Sequence, residues 1–373
     1  MTASGRGLSV ELCTDERTFG ALAEEWGRLH GSCPSATAFQ SHAWLHSWWL
    51  SYGTPDALRL FLVRQGDELV AAAPLMRVRQ PVPKLVPIGS AISDFCDVLL
   101  DEAVAEHGSL ALADALADAA RTALIDFREV RPGSAVEQVY RHWHGPRRRL
   151  RDSMCLELPA VPMTELVKRL PSARAQGVVR NKMNKLARLG VEWHVVSHDE
   201  METALRRLLE LHRLQWEGKK ITPEHTRPRF LEHLMRSVVP MARSGQAAVT
   251  EFLFEGSVVA VNLTLLSGGL AGIYLYGFHP QLRERKVDVA TMLMRASSEL
   301  ASRSESRVLS LLRGDEPYKY RWCPETVFNQ RFLLAGRRTL PLLAATLCHD
   351  AARRGAKKVL RRNAEPLRAN QGA

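Results

Sequence analysis

Residues 246–278 hold three apolar runs, QAAVTEFLFEG, SVVAVNLTLLSGG and LAGIYLYGF, separated only by Glu255-Gly256 and Gly268-Gly269. Tight glycine turns between β-branched runs specify antiparallel hairpins, so this stretch predicts a three-strand meander. Apolar residues at helical spacing surround it. Helices are expected over Arg174–Leu189, Glu200–Trp216 and Arg229–Ser244, with VEWHVV a strand after the first. A helix over Asp288–Arg303 follows, carrying Ala290, Leu293, Met294, Ser297, Leu300 and Ala301 on one face, and RVLSLLRG closes the pattern as a strand.

The first half repeats the scheme. Asp15–His30 and FQSHAWLHSWWLSYG read as helices, and LRLFLVRQGDELVAAAPLMRVR reads as a hairpin turning at Gln65-Gly66-Asp67. SDFCDVLLD is a short strand, Gly108–Ala123 an alanine-rich helix and LIDFREV a strand; GPRRRLR reads as a basic turn before the strand MCLELP. Helices, an antiparallel meander, a helix and a late strand, occurring twice, predict an α+β fold of two mixed, mostly antiparallel sheets flanked by helices. The Pro159–Pro162 linker divides the chain into 1–158 and 159–336, followed by a basic, helical tail over 337–373.

Several classes are set aside by composition. No apolar run approaches the ~20 residues that cross a bilayer, and the N-terminus lacks a basic segment followed by an apolar one. Six cysteines stand singly with no C-x-x-C pair, so neither a metal site nor a disulfide framework is expected, and a cytoplasmic setting is the simplest reading. Nine Arg/Lys against two acids from Arg337 onward supply +7 of the net +11. That tail is a solvated terminus or a docking segment for membrane or nucleic acid.

FQSHAWLHSWW, the AAAPL strand end, SDFCDVL, the LHRLQWEGK helix end and above all LRGDEPYKYRW, in this order from Phe39 to Trp322, resemble the CelD/BcsL-type acyltransferases of the GNAT superfamily. The resemblance implies two tandem GNAT-like domains, an architecture shared with Fem-type aminoacyltransferases. It also implies acyl transfer from a thioester, usually acyl-CoA (acetyl-CoA) as co-substrate, to an amine or hydroxyl of a small-molecule or saccharide acceptor. No permanently bound cofactor is expected, and the chain would act as a monomer or homodimer. Two rivals stand beside this reading: a Fem-like transferase drawing on aminoacyl-tRNA, and a non-catalytic scaffold docking through its basic tail.

In GNAT folds a splayed strand supplies oxyanion donors and a helix N-terminus beside it holds the CoA pyrophosphate. The resemblance places these at LAGIYLYGF and at the helix beginning near Lys286–Ala290. Asp315 and Glu316 are then candidates for the base or for holding an ammonium, Tyr318 for proton donation, Lys319 for an anion clamp, and Tyr276 and His212 for the chemistry itself. Arg283, Arg285, Lys286, Val289 and Ala290 are the expected donor-binding residues, although this turn lacks the usual glycines and Asp288 opposes phosphate. Alternation puts Tyr274 and Tyr276 on one face, with Asn262 and Thr264 sharing a face of the preceding strand. Asp94, Asn262, Tyr274, Arg180 and Trp216 are the expected acceptor-side residues. Asp97, followed at once by Val98, Leu99 and Leu100, reads as structural, and no Ser/Cys nucleophile stands in a recognisable elbow, which favours direct attack.

Overall fold

Both glycine turns of the meander form as expected. Glu255 and Gly256 take φ of 51° and 75°, the left-handed pair that a two-residue hairpin turn requires. The computed structural model describes residues 7–218, 222–304 and 306–353. Its first half runs β1 (Leu8–Cys13), α1 (Glu16–Ala21), α2 (Ala23–Ser32), α3 (His42–Tyr52), β2 (Leu58–Gln65), β3 (Glu68–Val78), β4 (Lys84–Pro87), β5 (Leu99–Leu100), α4 (Ala105–Ala119), β6 (Leu124–Val130) and α5 (Val136–His142). A long strand, β7 (Arg147–Pro159), and α6 (Met163–Lys168) lead out of it. The second half runs α7 (Ala173–Arg188), β8 (Glu192–Val195), α8 (Met201–Gln215), α9 (Pro228–Arg243), β9 (Ala247–Phe254), β10 (Ser257–Ser267), β11 (Leu270–Phe278), α10 (Gln281–Glu284), α11 (Val289–Arg303) and β12 (Val308–Arg313). β13 (Glu325–Leu334) follows, then α12, helical over 340–353. The rest of the expected tail lies outside the described residues.

All strands belong to one mixed, mostly antiparallel sheet, ordered β1-β2-β3-β4-β6-β13-β7-β12-β11-β10-β9-β8, with β5 alongside β3. The halves mirror each other about its centre. In each, an outer strand and a meander end in a strand that runs parallel to the next, β4 to β6 and β11 to β12. Between them stand two exchanged strands. β7 leaves the first half and pairs with β12 of the second, while β13 leaves the second half and pairs with β6 of the first. The two pair with each other from Glu325–Glu157 to Leu334–Arg147.

Three sequence expectations change here. Asp15–His30 is two helices meeting at Leu22, whose C-cap and N-cap positions coincide there. GPRRRLR is largely strand rather than turn, because Arg147–Arg151 pair with β13. β12 is not the last strand: β13, rich in buried polar residues, continues past the expected boundary into the first half.

Packing joins the halves. Trp44 of α3 meets the Tyr274 ring edge-on at 5.2 Å and the His233 ring at 4.5 Å, and its indole donates to Ser93 Oγ at 2.8 Å. Asp97 is structural: its carboxylate accepts from the N–H groups of Val98, Ala135 and Val136 and from Ser35, all within 2.9 Å, at the start of α5. At the other end of the central strands, Arg331 donates to both oxygens of Asp126 at 2.6 and 2.7 Å, and Lys84 reaches the same carboxylate at 2.9 Å. Arg331 also pairs with Asp350, which ties α12 to β13. Removing the shared anion by Asp126→Ala leaves Lys84 unpaired and Arg331 with Asp350 alone, in a site where Asp126 is 2% exposed. The expected loss is about 3–5 kcal/mol, seen as a lower urea midpoint at unchanged m-value.

Candidate active site

β11 and β12 are held together at only three residue pairs, Leu270–Val308, Ala271–Leu309 and Gly272–Ser310. Beyond Gly272 they separate, and a cavity of about 820 Å³ fills the gap. Its walls come from both halves: Trp48 and Tyr52 of α3, the loop Ser90–Asp94, Ser153 of β7, the end of α8, the loop before α9, the first turns of α11, and Gly314–Trp322. This is the splayed strand expected at LAGIYLYGF.

A bulge corrects the expected alternation along that strand. Leu263 pairs with Leu275 and Thr264 with Ile273, so Tyr274 is one extra residue in β11. Tyr274 and Tyr276 therefore do not act as a period-2 pair. Tyr274 turns to the first half and donates to the Ile92 carbonyl at 3.0 Å, whereas the Tyr276 hydroxyl lies 3.4 Å from that of Tyr318.

α8 can approach β11 because residue 277 is glycine. A Cβ there would stand 2.3 Å from the His212 nitrogen and 2.7 Å from the Leu208 carbonyl oxygen. The close approach sets His212 Nδ1 2.7 Å from the Tyr276 carbonyl oxygen. A carbonyl only accepts, so Nδ1 carries the proton and Nε2 is bare. His225 Nδ1 lies 3.1 Å from that bare nitrogen and must donate to it. His225 Nε2 is therefore the unprotonated end of a two-histidine chain in the cavity wall. Burial lowers the pKa of His212; burial and the neighbouring His212 lower that of His225 to about 4, which keeps the pair neutral. Nothing local in the sequence marks His225, because its role depends on His212, thirteen residues earlier.

The loop after β12 is stapled at three points. Lys319, 5% exposed, donates to the Arg313 carbonyl at 3.0 Å and to Glu316 at 2.8 Å. Arg321 reaches Asp288 at 2.6 Å, and Trp322 is buried in the core beside α11. Lys319 lines the cavity but is committed to the loop, which leaves little of it for an anion clamp. Tyr318 remains at the mouth; burial and Tyr276 push its phenol pKa upward, so it stays a proton donor. Arg313 itself joins Asp94 and Glu129 of the first half. Asp94 is thus already paired, and Asn329 supports the cluster through the Asp94 carbonyl and Glu129.

The other expected residues are divided between this cavity and its surroundings. Trp216, Tyr274, Tyr276, His212, Glu316, Tyr318 and Ala290 line it. Asp315 is exposed outside the wall. Asn262 is fully buried, bonded to Thr264 and to Ser297 of α11, away from the cavity. Arg180 is exposed on α7 and donates to Gln176. Val289 packs in a separate core cluster, and Arg285 faces Glu255 at 3.7 Å. Arg283 and Lys286 border a smaller cavity of about 330 Å³ with Lys182 and Lys185. Beside it, Asp288 caps α11 by accepting from the Thr291 N–H at 2.9 Å, and is held by Lys182 at 2.5 Å and by Arg321. Burial alone would raise the Asp288 pKa, but Lys182, Thr291 and Arg321 hold it down at about 2. The first turn of α11 thus already carries its own anion, and a phosphate does not fit there as it does at a glycine-rich helix start.

The second half of this fold is that of a GNAT domain. Residues 173–320, less than half of the chain, match the family model of the acetyltransferase (GNAT) domain, so the second half carries a GNAT acyltransferase domain. Among solved structures, FemX is similar over 86% of this chain and 98% of its own, with 12% identity and a TM-score of 0.61. L-PGS from Bacillus licheniformis is similar over 88% and 95%, at 15% identity and a TM-score of 0.54. The C-terminal domain of a putative lysylphosphatidylglycerol synthetase from Agrobacterium fabrum gives 88% and 96%, at 12% identity and 0.54. These likenesses extend the fold across both halves. No curated protein matches the chain in sequence. Among the described residues no helix is long and apolar enough to cross a membrane.

Gly277→Ala is expected to push α8 from β11 and break the His212–Tyr276 bond, destabilising the protein by about 1–3 kcal/mol as measured by urea unfolding. A second outcome concerns acid. His30, His42, His46, His212, His225 and His233 all have pKa values lowered chiefly by burial. Unfolding therefore takes up protons, and stability present above about pH 6.5 drains away as pH falls toward the folded values, about 4 for His225 and about 3 for His233. Each histidine that stays neutral when folded contributes a slope of about 1.4 kcal/mol per pH unit inside its window. Urea midpoints measured from pH 7.5 to 4.5 give the net slope, to which Asp97, raised to about 6 by burial, contributes with the opposite sign.

Proposed function

We propose that this chain acylates an amine held in the cavity between its halves, by direct attack on an activated acyl carbonyl seated in the gap between β11 and β12. The observation that carries the proposal is the neutral His225–His212 chain ending in a bare nitrogen, in a cavity that the protonated Tyr318 also lines. The amine nitrogen forms the new bond to the carbonyl carbon and passes its proton to His225 Nε2. His212 and the Tyr276 carbonyl steady the resulting imidazolium, since every hydrogen bond along the chain runs in one direction. Unpaired N–H groups of β11 and the Tyr318 hydroxyl stabilise the oxyanion, and as the bond to the carrier breaks Tyr318 protonates the leaving atom. Tyr318 then regains a proton, through solvent, from the charged pair.

Acyl-CoA is the donor that the GNAT family match and the narrower CelD/BcsL resemblance support, with a small molecule or saccharide supplying the amine or hydroxyl. One observation favours the second reading, an aminoacyl-tRNA donor. Asp288 occupies the helix start where a CoA pyrophosphate sits in a glycine-rich turn, so a carrier whose phosphates bind elsewhere fits better. A chain that turns over neither donor would return the scaffold reading.

Purified protein should be assayed for amide formation with labelled acetyl-CoA and with labelled aminoacyl-tRNA over a panel of amines, with and without RNase. His225→Ala is expected to lower kcat/KM by about 10²–10⁴ with whichever donor is used. In the wild type, kcat/KM should fall as acid protonates the pair. Full turnover in His225→Ala would remove the base assignment.

A further inference from the structure

Three arginines at the start of β7 each lie over an aromatic ring, at successive alternate positions of one strand. Arg147 lies 4.6 Å from the Tyr140 ring, Arg149 5.7 Å from Phe332 and Arg151 3.1 Å from Phe328. The three share one face of the strand by alternation, whereas Arg148 falls on the other. Arg147 donates to the carbonyls of Tyr140 and Arg141. Arg149 has only Glu137, at 3.7 Å, and Arg151 has no carboxylate partner among the described residues. Asp152 is taken by Arg128.

This row of cations over rings runs on toward the cavity. Phe328 pairs across the strands with Met154, and the Tyr320 hydroxyl lies 4.0 Å from the Met154 sulfur. Tyr320 is 45% exposed, and Tyr318, 37% exposed, forms the cavity mouth two residues earlier. β12 ends at Arg313, opposite Cys155, so the upstream part of β7 has no strand neighbour on that edge, and Arg149 and Arg151 are exposed. From Arg147 to Met154 it covers about 23 Å at the usual rise of a strand.

Guanidinium groups already flattened on rings hold phosphates at little entropic cost, and exposed tyrosines offer faces on which bases stack. We propose that the row from Arg149 to Tyr320 binds the single-stranded end of an RNA and leads that end to the cavity mouth. This rests on the reading that acyl transfer occurs in the cavity, and it assigns the carrier of the second donor reading a place on the surface.

Fluorescence anisotropy of the full chain with a labelled ten-nucleotide RNA, across a salt series, tests the assignment without any need for turnover. Arg149→Gln/Arg151→Gln is expected to weaken binding about tenfold or more and to flatten the slope of log K against log[salt] by about 1.4, two phosphates' worth. Tyr320→Ala should weaken binding about fivefold to tenfold with the slope unchanged. Arg148→Gln, on the opposite face, should change it less than twofold, and melting curves establish that each variant is folded. Equal loss in Arg148→Gln and the double variant, or equal affinity for a blunt duplex or for anionic phosphatidylglycerol vesicles, overturns the assignment. Acetyl-CoA turnover without RNA binding sinks it and leaves the acyltransferase reading intact. RNA binding along this row without turnover of either donor leaves the row standing and removes the acyltransferase reading.

Discussion

Arg313 is the point on which the two halves and the cavity wall depend together. It ends β12, and its guanidinium is enclosed by Asp94 and Glu129 from the first half. Asn329 and Ser153, from the two exchanged strands, both donate to the second oxygen of Glu129. A buried charge of this kind is tolerable only when it is fully paired, so the position of each half fixes the other. The same residue's carbonyl accepts from Lys319, and this sets the course of the loop that carries Tyr318. The wall of the cavity is thus held by an electrostatic knot rather than by apolar packing alone.

Much of the second half was legible because its signals are local. The meander turns at glycines, α8, α9 and α11 have apolar residues at helical spacing, and Asp288 is a clear N-cap. What escaped detection depends on partners distant in sequence. β13 carries Asn329, Gln330 and Arg331, polar residues that show no strand pattern until Asp126, Glu129 and Glu137 are seen opposite them. The Tyr274 bulge breaks a period-2 pattern that nothing in LAGIYLYGF announces. Gly277 looked like an ordinary strand glycine; only the backbone of α8 pressed against it shows what it is for.

The same division runs through the site. Tyr276, His212 and Tyr318 were accessible to sequence reasoning because they lie on regular elements or in the most recognisable motif. His225 sits on a short turn before α9, and its role arises from a tautomer fixed 64 residues of chain away from His212, at the Tyr276 carbonyl. Asn262 and Asp94, expected on the acceptor side, are both bonded inside the protein, one beneath α11 and one in the Arg313 cluster. Buried polar residues are often occupied in this way, since burial without a partner is costly.

The exchange of β7 and β13 also has a bearing on how the chain is made. During synthesis β6 emerges long before β13, the strand that lies between it and β7. Until residues 325–334 leave the ribosome, the first half presents β6 with one edge uncovered, and β7 lacks β13 on one side, with only its downstream end able to pair with β12. Domains that close on their own can fold in turn as they appear. Here the first half cannot finish before nearly the whole chain exists, so a ribosome stalled anywhere ahead of β13 holds an open sheet edge, with the cavity's Ser153 wall still unformed.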